Sequence, residues 1–301
     1  MKFFVILFLS FSFTISAQSQ STYTFNGNGN WSVAANWVNN LLPPTNLPAG
    51  DTIFINTALG NTCMLDIADT ISQGAVLIVR SGSNFIVSNG LFINNNIAST
   101  TICNQVWSNK NLDVVTYRNG DTIPQVTDAN TWAYFTTGGA WCYYNNDPAN
   151  NAKYGKLYNW AAVNDSRGLA PTGWHIPTDV EWNTLVKCLD SNIADTTCGA
   201  CAVSVIAGGP LKATGTIEAG TGLWFNPNDQ ATNATGFAAV PGGTRTDIGT
   251  SAEIGSFGFW WSASELNQFM AFCREMRYDN AWVMRYQYGK NMGFSVRLVK
   301  D

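Results

Sequence analysis

Histidine occurs once in the 301-residue chain, at position 175. A single imidazole rules out a histidine-rich metal site, and as a general base it would need a nucleophile beside it. It stands between Trp174 and Ile176, so the expectation is a packed, hydrogen-bonded loop residue. Cys198 and Cys201, spaced as Cys-Gly-Ala-Cys, could be redox-active or supply half of a zinc site. Zinc would need two more ligands; Cys188 is one candidate and no histidine is near. Redox chemistry wants the pair opening a helix in a β–α–β context, which is absent. A disulfide in an inserted loop is the better reading. Asn145, Asn146 and Asp147, or Asn226, Asn228 and Asp229, could offer oxygens to calcium, yet these residue types are the usual formers of turns. No metal and no cofactor is expected.

Aromatic residues make up 13% of the chain, with 12 tryptophans. Trp160, Trp182 and Trp261 fit core positions. Trp260, Tyr278, Trp282, Tyr286 and Tyr288 fall on strands or turns where one face should be wet. Rings of that kind beside Asn, Asp or Arg suit stacking on sugars. The candidate ligand-binding residues are Trp260, Glu265, Arg274, Tyr278, Asp279, Trp282 and Tyr286. No residue is proposed as catalytic.

The stretch from Gly168 to Trp182 has to position the rest. Thr178 is a good N-cap, and Glu181 three residues on completes a capping box. Asp179 and Glu181 sit where the helix dipole favours negative charge. Trp182, Leu185, Val186 and Leu189 then recur at helical spacing, giving one apolar face. Pro171 and Pro177 stiffen the preceding loop.

The chain is 46% hydrophobic but only 12% charged, with net charge −4. That leaves no basic footprint for nucleic acid. Lys2 followed by the apolar run from Phe3 to Ile15, then Ser16 and Ala17, reads as a secretory signal peptide cleaved after Ala17. The run is too short to span a bilayer, and no transmembrane segment is expected. Seven cysteines, at 63, 103, 142, 188, 198, 201 and 273, fit an oxidising compartment. An odd number leaves at least one free or intermolecular thiol. Proximity favours Cys188 with Cys198 or Cys201. The protein is expected to be secreted, extracellular or at the cell surface.

Residues 18–104 read as an all-β module. Short apolar runs at 51–56, 63–67, 75–79, 84–87 and 91–93 are separated by Gly or Asn, with no helical pattern between them. Strands this short and close suit a small β-solenoid or a β-sandwich. The opening, Gly29-Asn30-Trp31-Ser32 with Ala35-Asn36-Trp37, resembles a pattern that precedes parallel β-helix-like modules in large secreted bacterial surface proteins. Ala98 to Thr101 looks like the boundary, and residues 105–301 form a second domain. There, Gly155 to Val163 reads as a short helix, and residues 190–235 read as loop. The stretch from Phe257 to Ser262 alternates. Phe269 to Arg277 and Ala281 to Tyr288 read as a hairpin turned at Asp279-Asn280. Phe294 to Val299 reads as a half-buried final strand. Two early helices followed by an antiparallel sheet with long loops is an α+β layout.

Several segments of residues 105–301 resemble, in order, the Fibrobacter succinogenes major paralogous domain. They are Val106-Trp107 with Asn109 to Leu112, Trp141 to Asp147, Tyr154 to Trp160, the Gly168–Trp182 stretch, Gly236-Phe237, Pro241 to Gly243, Trp260 to Ser262, and Gly293 to Arg297. That resemblance brings no enzymatic activity with it. Ile176 to Trp182 and Gly293 to Arg297 are also similar to segments of the formylglycine-generating proteins, which implies a C-type-lectin-like fold by analogy. Members of the paralogous domain often carry Cys where this chain has Leu298. By that resemblance, Cys142 to Cys273 is the substitute disulfide. No segment matches the formylglycine-generating catalytic cysteines.

The expectation is therefore an exported, non-enzymatic binding or adhesion protein whose partner is a glycan or a surface protein. The alternatives are an enzyme of the formylglycine-generating fold class and a purely structural surface module.

Overall fold

The computed structural model describes residues 21–301 except 49, 73–74, 89–90, 95–96, 135–137 and 194–199. The expected signal peptide lies outside the described residues. The chain is a mixed α and β protein in which strands dominate. It divides into two compact units, 1–96 and 97–301.

The first unit contains β1 (Thr22–Phe25), β2 (Gly29–Asn30), β3 (Asn46–Leu47), β4 (Thr52–Ile55), β5 (Thr62–Leu65), β6 (Asp69–Ser72), β7 (Val76–Val79), β8 (Asn84–Val87) and β9 (Leu91–Asn94). Every third strand joins the same parallel sheet, in the orders β1-β4-β7, β2-β5-β8 and β3-β6-β9. Thr22 aligns with Thr52 and Thr52 with Val76, a first step of 30 residues and a second of 24. An excursion containing Trp31 and Trp37 lengthens the first step. Both rings are buried and meet edge-to-face at 4.7 Å. The alternation of each strand sends Phe25, Ile53, Ile55, Cys63, Leu65 and Ile71 into one core.

The second unit opens with β10 (Ser99–Ile102) and β11 (Gln105–Ser108), an antiparallel hairpin. Gln105, the expected start of the second domain, is thus already paired, which draws Ser99 to Ile102 into this unit. There follow α1 (Ala129–Tyr134), β12 (Trp141–Cys142), α2 (Asn151–Tyr154), β13 (Leu157–Tyr158), α3 (Trp160–Val163), β14 (Trp174–His175), α4 (Asp179–Leu189), β15 (Cys201–Ser204), α5 (Gly208–Leu211), β16 (Gly242–Arg245), β17 (Ser251–Ile254), β18 (Phe257–Glu265), β19 (Met270–Arg277), β20 (Val283–Gly289) and β21 (Val299–Lys300). The large sheet runs β15-β20-β19-β18-β16-β17. It is antiparallel except where β16 meets β18 in parallel at Gly243 and Gly258.

The strand period puts the two central tryptophans on opposite faces. Trp260 packs into a core with Trp107, Trp182 and Phe237. Trp261 packs into another with Phe259, Phe294 and Trp160. The helix α4 begins where expected. Thr178 Oγ1 accepts from the Glu181 N–H, and Glu181 Oε2 accepts from the Thr178 N–H. Trp182, Leu185 and Val186 are buried on its inner face.

Three local expectations are corrected. Gly155 to Val163 is not one helix. Gly155 has φ +72°, and Leu157–Tyr158 pairs antiparallel with Trp141–Cys142. Residues 190–235 are not all loop, since β15 joins the large sheet and α5 follows it. The segment Phe294 to Val299 is buried on both faces rather than half-buried. It runs through the interior, with Arg297 donating to Asn111 Oδ1 at 2.7 Å and to the carbonyls of Ser108, Phe237 and Ala238.

Cysteine pairing also departs from expectation. Cys188 is bonded to Cys103, 85 residues away, rather than to Cys198 or Cys201. The turn of the β10–β11 hairpin, where Cys103 takes φ +52°, lies against the end of α4, a contact that proximity along the chain does not reveal. Cys201 is disulfide-bonded as well; Cys198 lies outside the described residues. Cys142 and Cys273 are both free and buried, in different cores, so they form no bond. Cys63 is free and buried too.

Candidate functional site

Three segments of the second unit enclose a cleft of about 700 Å³, lined by residues around α3, by the turn between β18 and β19, and by the end of β20. Its size falls within the usual range for small-molecule sites. Backbone bonds stitch the segments together. The Lys290 N–H donates to the Phe269 carbonyl at 3.0 Å, and the Trp160 N–H donates to the Lys290 carbonyl at 2.9 Å.

Each wall is fixed locally. Asn159 caps α3, its Oδ1 accepting from the N–H groups of Ala140 and Ala162 and its Nδ2 donating to the Gly138 carbonyl. Trp160 forms a buried wall, with its indole N–H spent on the Ser262 carbonyl. On the opposite side, Asn267 Oδ1 accepts from the N–H groups of both Phe269 and Met270, a side-chain-pinned turn. That turn holds Phe269 outward with 69% of its surface exposed. Among the described residues lining the cleft, Lys290 is the one that carries a charge. Its ammonium donates to Glu265 Oε2 at 2.7 Å and lies 4.4 Å from the Trp160 ring centre.

Of the sequence candidates, Glu265 reaches this cleft through its ion pair with Lys290. Trp260 and Arg274 are fully buried, so neither can meet a ligand at the surface. Trp260 donates its indole N–H to Asn111 Oδ1, and Arg274 donates to Asp179 Oδ1 at 2.8 Å. Tyr278, Asp279 and Trp282 gather at the turn between β19 and β20, at the far end of β19 from the cleft. Eight strand residues put about 25 Å between the two ends. There Trp282 is 43% exposed, Asp279 is exposed, and Tyr278 packs edge-on against Phe225. Tyr286 is half-buried on β20, beside Tyr288. Phe269, Asn164, Gln268 and Lys290 carried no sequence signal. Isolated polar loop residues and one Phe at a strand end look ordinary until three distant segments converge.

The remaining chemical candidates serve structure. His175 Nδ1 and Nε2 bridge Asp301 Oδ1 and Glu181 Oε1, each at 2.7 Å. Burial works against the imidazolium, but the bonds to Asp301 and Glu181 outweigh it and raise the His175 pKa. Asn145 and Asn146 take positive φ in a turn, and Asp147 accepts from the Ala149 N–H. Asn228 is buried and donates to the carbonyls of Ala213 and Gly215. Among the described residues, no cluster of His, Cys, Asp or Glu has the arrangement to hold a metal ion. Burial pushes the free Cys142 thiol up to about 11 and the Cys63 thiol to about 12.

These features define a mixed α and β domain, mostly strand, on a largely antiparallel sheet, carrying a preformed cleft lined by aromatic, amide and one paired ammonium side chains. Residues 100–300 match the family described as the Fibrobacter succinogenes major domain, and the chain belongs to that family. No curated protein and no solved structure matches the chain. Among the described residues, no helix is long and apolar enough to cross a membrane.

Proposed function

We propose that this is an exported, non-enzymatic binding protein of the cell surface or extracellular space, whose second unit carries the ligand site. The observation that carries this reading is the cleft edged by the exposed Phe269 ring, whose described lining residues include no Ser, Thr, Cys, His or carboxylic acid. Two further observations support it. The disulfide between Cys103 and Cys188 fits an oxidising compartment. Among the described residues, the free thiols of Cys63, Cys142 and Cys273 are buried, which disfavours cysteine chemistry of the formylglycine-generating kind.

The second unit is read as C-type-lectin-like, supported by the capped helix from Asp179 and the buried closing segment from Gly293 to Arg297. The first unit is read as a short β-solenoid. Three parallel sheets, each taking every third strand in register, support that assignment. Full-length protein is screened for binding to immobilised glycans and to cell-surface proteins, and assayed on sulfatase-type cysteine peptides. Saturable binding without turnover is expected. Conversion of a peptide cysteine, or binding to none of the surfaces, overturns the reading in favour of an enzyme or a structural module.

A further inference from the structure

We infer that the cleft between Trp160, Phe269 and Lys290 receives an uncharged saccharide; this rests on the binding reading above. Charge comes first. The Lys290 ammonium is already neutralised by Glu265 and sits over the Trp160 ring, and no other charged side chain among the described residues lines the cleft. An anionic ligand would have to compete with Glu265 for Lys290, and a cationic one would have to displace Lys290 from Glu265. A neutral ligand meets neither cost.

Hydrogen-bonding capacity comes next. The side-chain amides of Asn164 and Gln268 both line the cleft, both are exposed, and neither makes a side-chain hydrogen bond to a described residue. Each offers a carbonyl acceptor and an NH₂ donor, the complement of a vicinal diol. The apolar contact is equally specific. Phe269 projects from a turn whose backbone Asn267 fixes with two hydrogen bonds, so the point from which the ring extends is set before any ligand arrives. An exposed ring with only two side-chain torsions has little freedom to lose on binding and offers its face to the C–H side of a sugar ring. Peptides would need an unpaired strand edge or a long groove; this cleft is closed by backbone bonds from Lys290 to Phe269 and from Trp160 to Lys290.

The test uses the full-length protein with neutral and acidic oligosaccharides on one array, followed by titration of the best binder. A neutral glycan is expected, with affinity nearly unchanged between about 50 and 500 mM salt. Phe269→Ala should weaken it by about tenfold or more, and Asn164→Ala with Gln268→Ala should also weaken it. Both variants replace exposed side chains, so their denaturation midpoints should match the parent and separate lost binding from lost folding. Trp282→Ala at the opposite end of β19 should bind as the parent does. Undiminished glycan binding by Phe269→Ala, or its loss in Trp282→Ala alone, moves the site elsewhere while leaving the binding reading intact. Preference for acidic glycans with steep salt dependence overturns the ligand class. No glycan bound overturns the inference, and a purified surface protein bound in the same screen would keep the broader reading.

Discussion

Asp179 and Arg285 meet side-on inside the second unit: Arg285 Nε donates to both carboxylate oxygens at 3.0 Å and a terminal nitrogen donates at 2.9 Å. Arg274 approaches the same carboxylate and also donates to Asn183 Oδ1. One acid therefore sits between two buried guanidiniums from adjacent strands, at the first turn of α4. Burial lowers the Arg274 pKa, and the Asp179 charge opposes that shift. Removing the acid takes the shared carboxylate away from both guanidiniums in a desolvated site. Asp179→Asn is expected to cost about 3 to 5 kcal/mol, read from the denaturant midpoint. A loss below about 1 kcal/mol, the size expected of a surface pair, would contradict this account.

The cap of α4 is a smaller contribution with a sharper signature. Thr178→Ala removes the bond to the Glu181 N–H and should destabilise by about 1 kcal/mol. Helix content at low denaturant should stay the same, because the inner face of Trp182, Leu185 and Val186 is untouched.

The chain's one histidine provides a pH test. Its pKa is raised in the folded state, so its contribution is fully present below its ordinary value of about 6.5 and fades as pH rises through the folded value. Glu181 is shifted the opposite way. Burial would raise its pKa, but hydrogen bonds from Thr178 and His175 lower it, so its contribution fades as pH falls through that lowered value. The unfolding midpoint of the parent should drop between about pH 5.5 and about pH 8 by more than that of His175→Asn. Parallel curves for the two proteins would remove His175 from the stability profile.

The cysteines give a chemical test. Mass mapping without reductant should recover the Cys103–Cys188 cross-link, and Cys63, Cys142 and Cys273 should alkylate only after denaturation. Cys103→Ser should lower stability by about 2 to 5 kcal/mol, as expected for a bond closing a long loop.

How far the sequence reaches depends on the distance over which each feature is determined. The α4 cap is legible because Thr178, Glu181 and the apolar face from Trp182 lie within a few turns, and the hairpin around Asp279 is legible for the same reason. Arg297 shows the limit. Its alternation with Val296 and Leu298 predicts a wet face, but its guanidinium is enclosed by oxygens from residues 108, 111, 237 and 238. Burial lowers its pKa to about 9, still above neutrality. Trp260 misleads likewise: a strand buried on both faces has no wet side for an aromatic to occupy. The cleft was illegible because its walls come from positions near 160, 268 and 290, and no local pattern marks their convergence.

The bond between Cys103 and Cys188 encloses most of the strands and helices of the second unit that precede the large sheet. A protease that cuts any exposed loop in that span produces two fragments still tied through sulfur. On a denaturing gel such a nicked molecule keeps its full mass until reductant is added. The hairpin at Cys103 and the end of α4 also remain neighbours, so a severed loop need not become a lost domain.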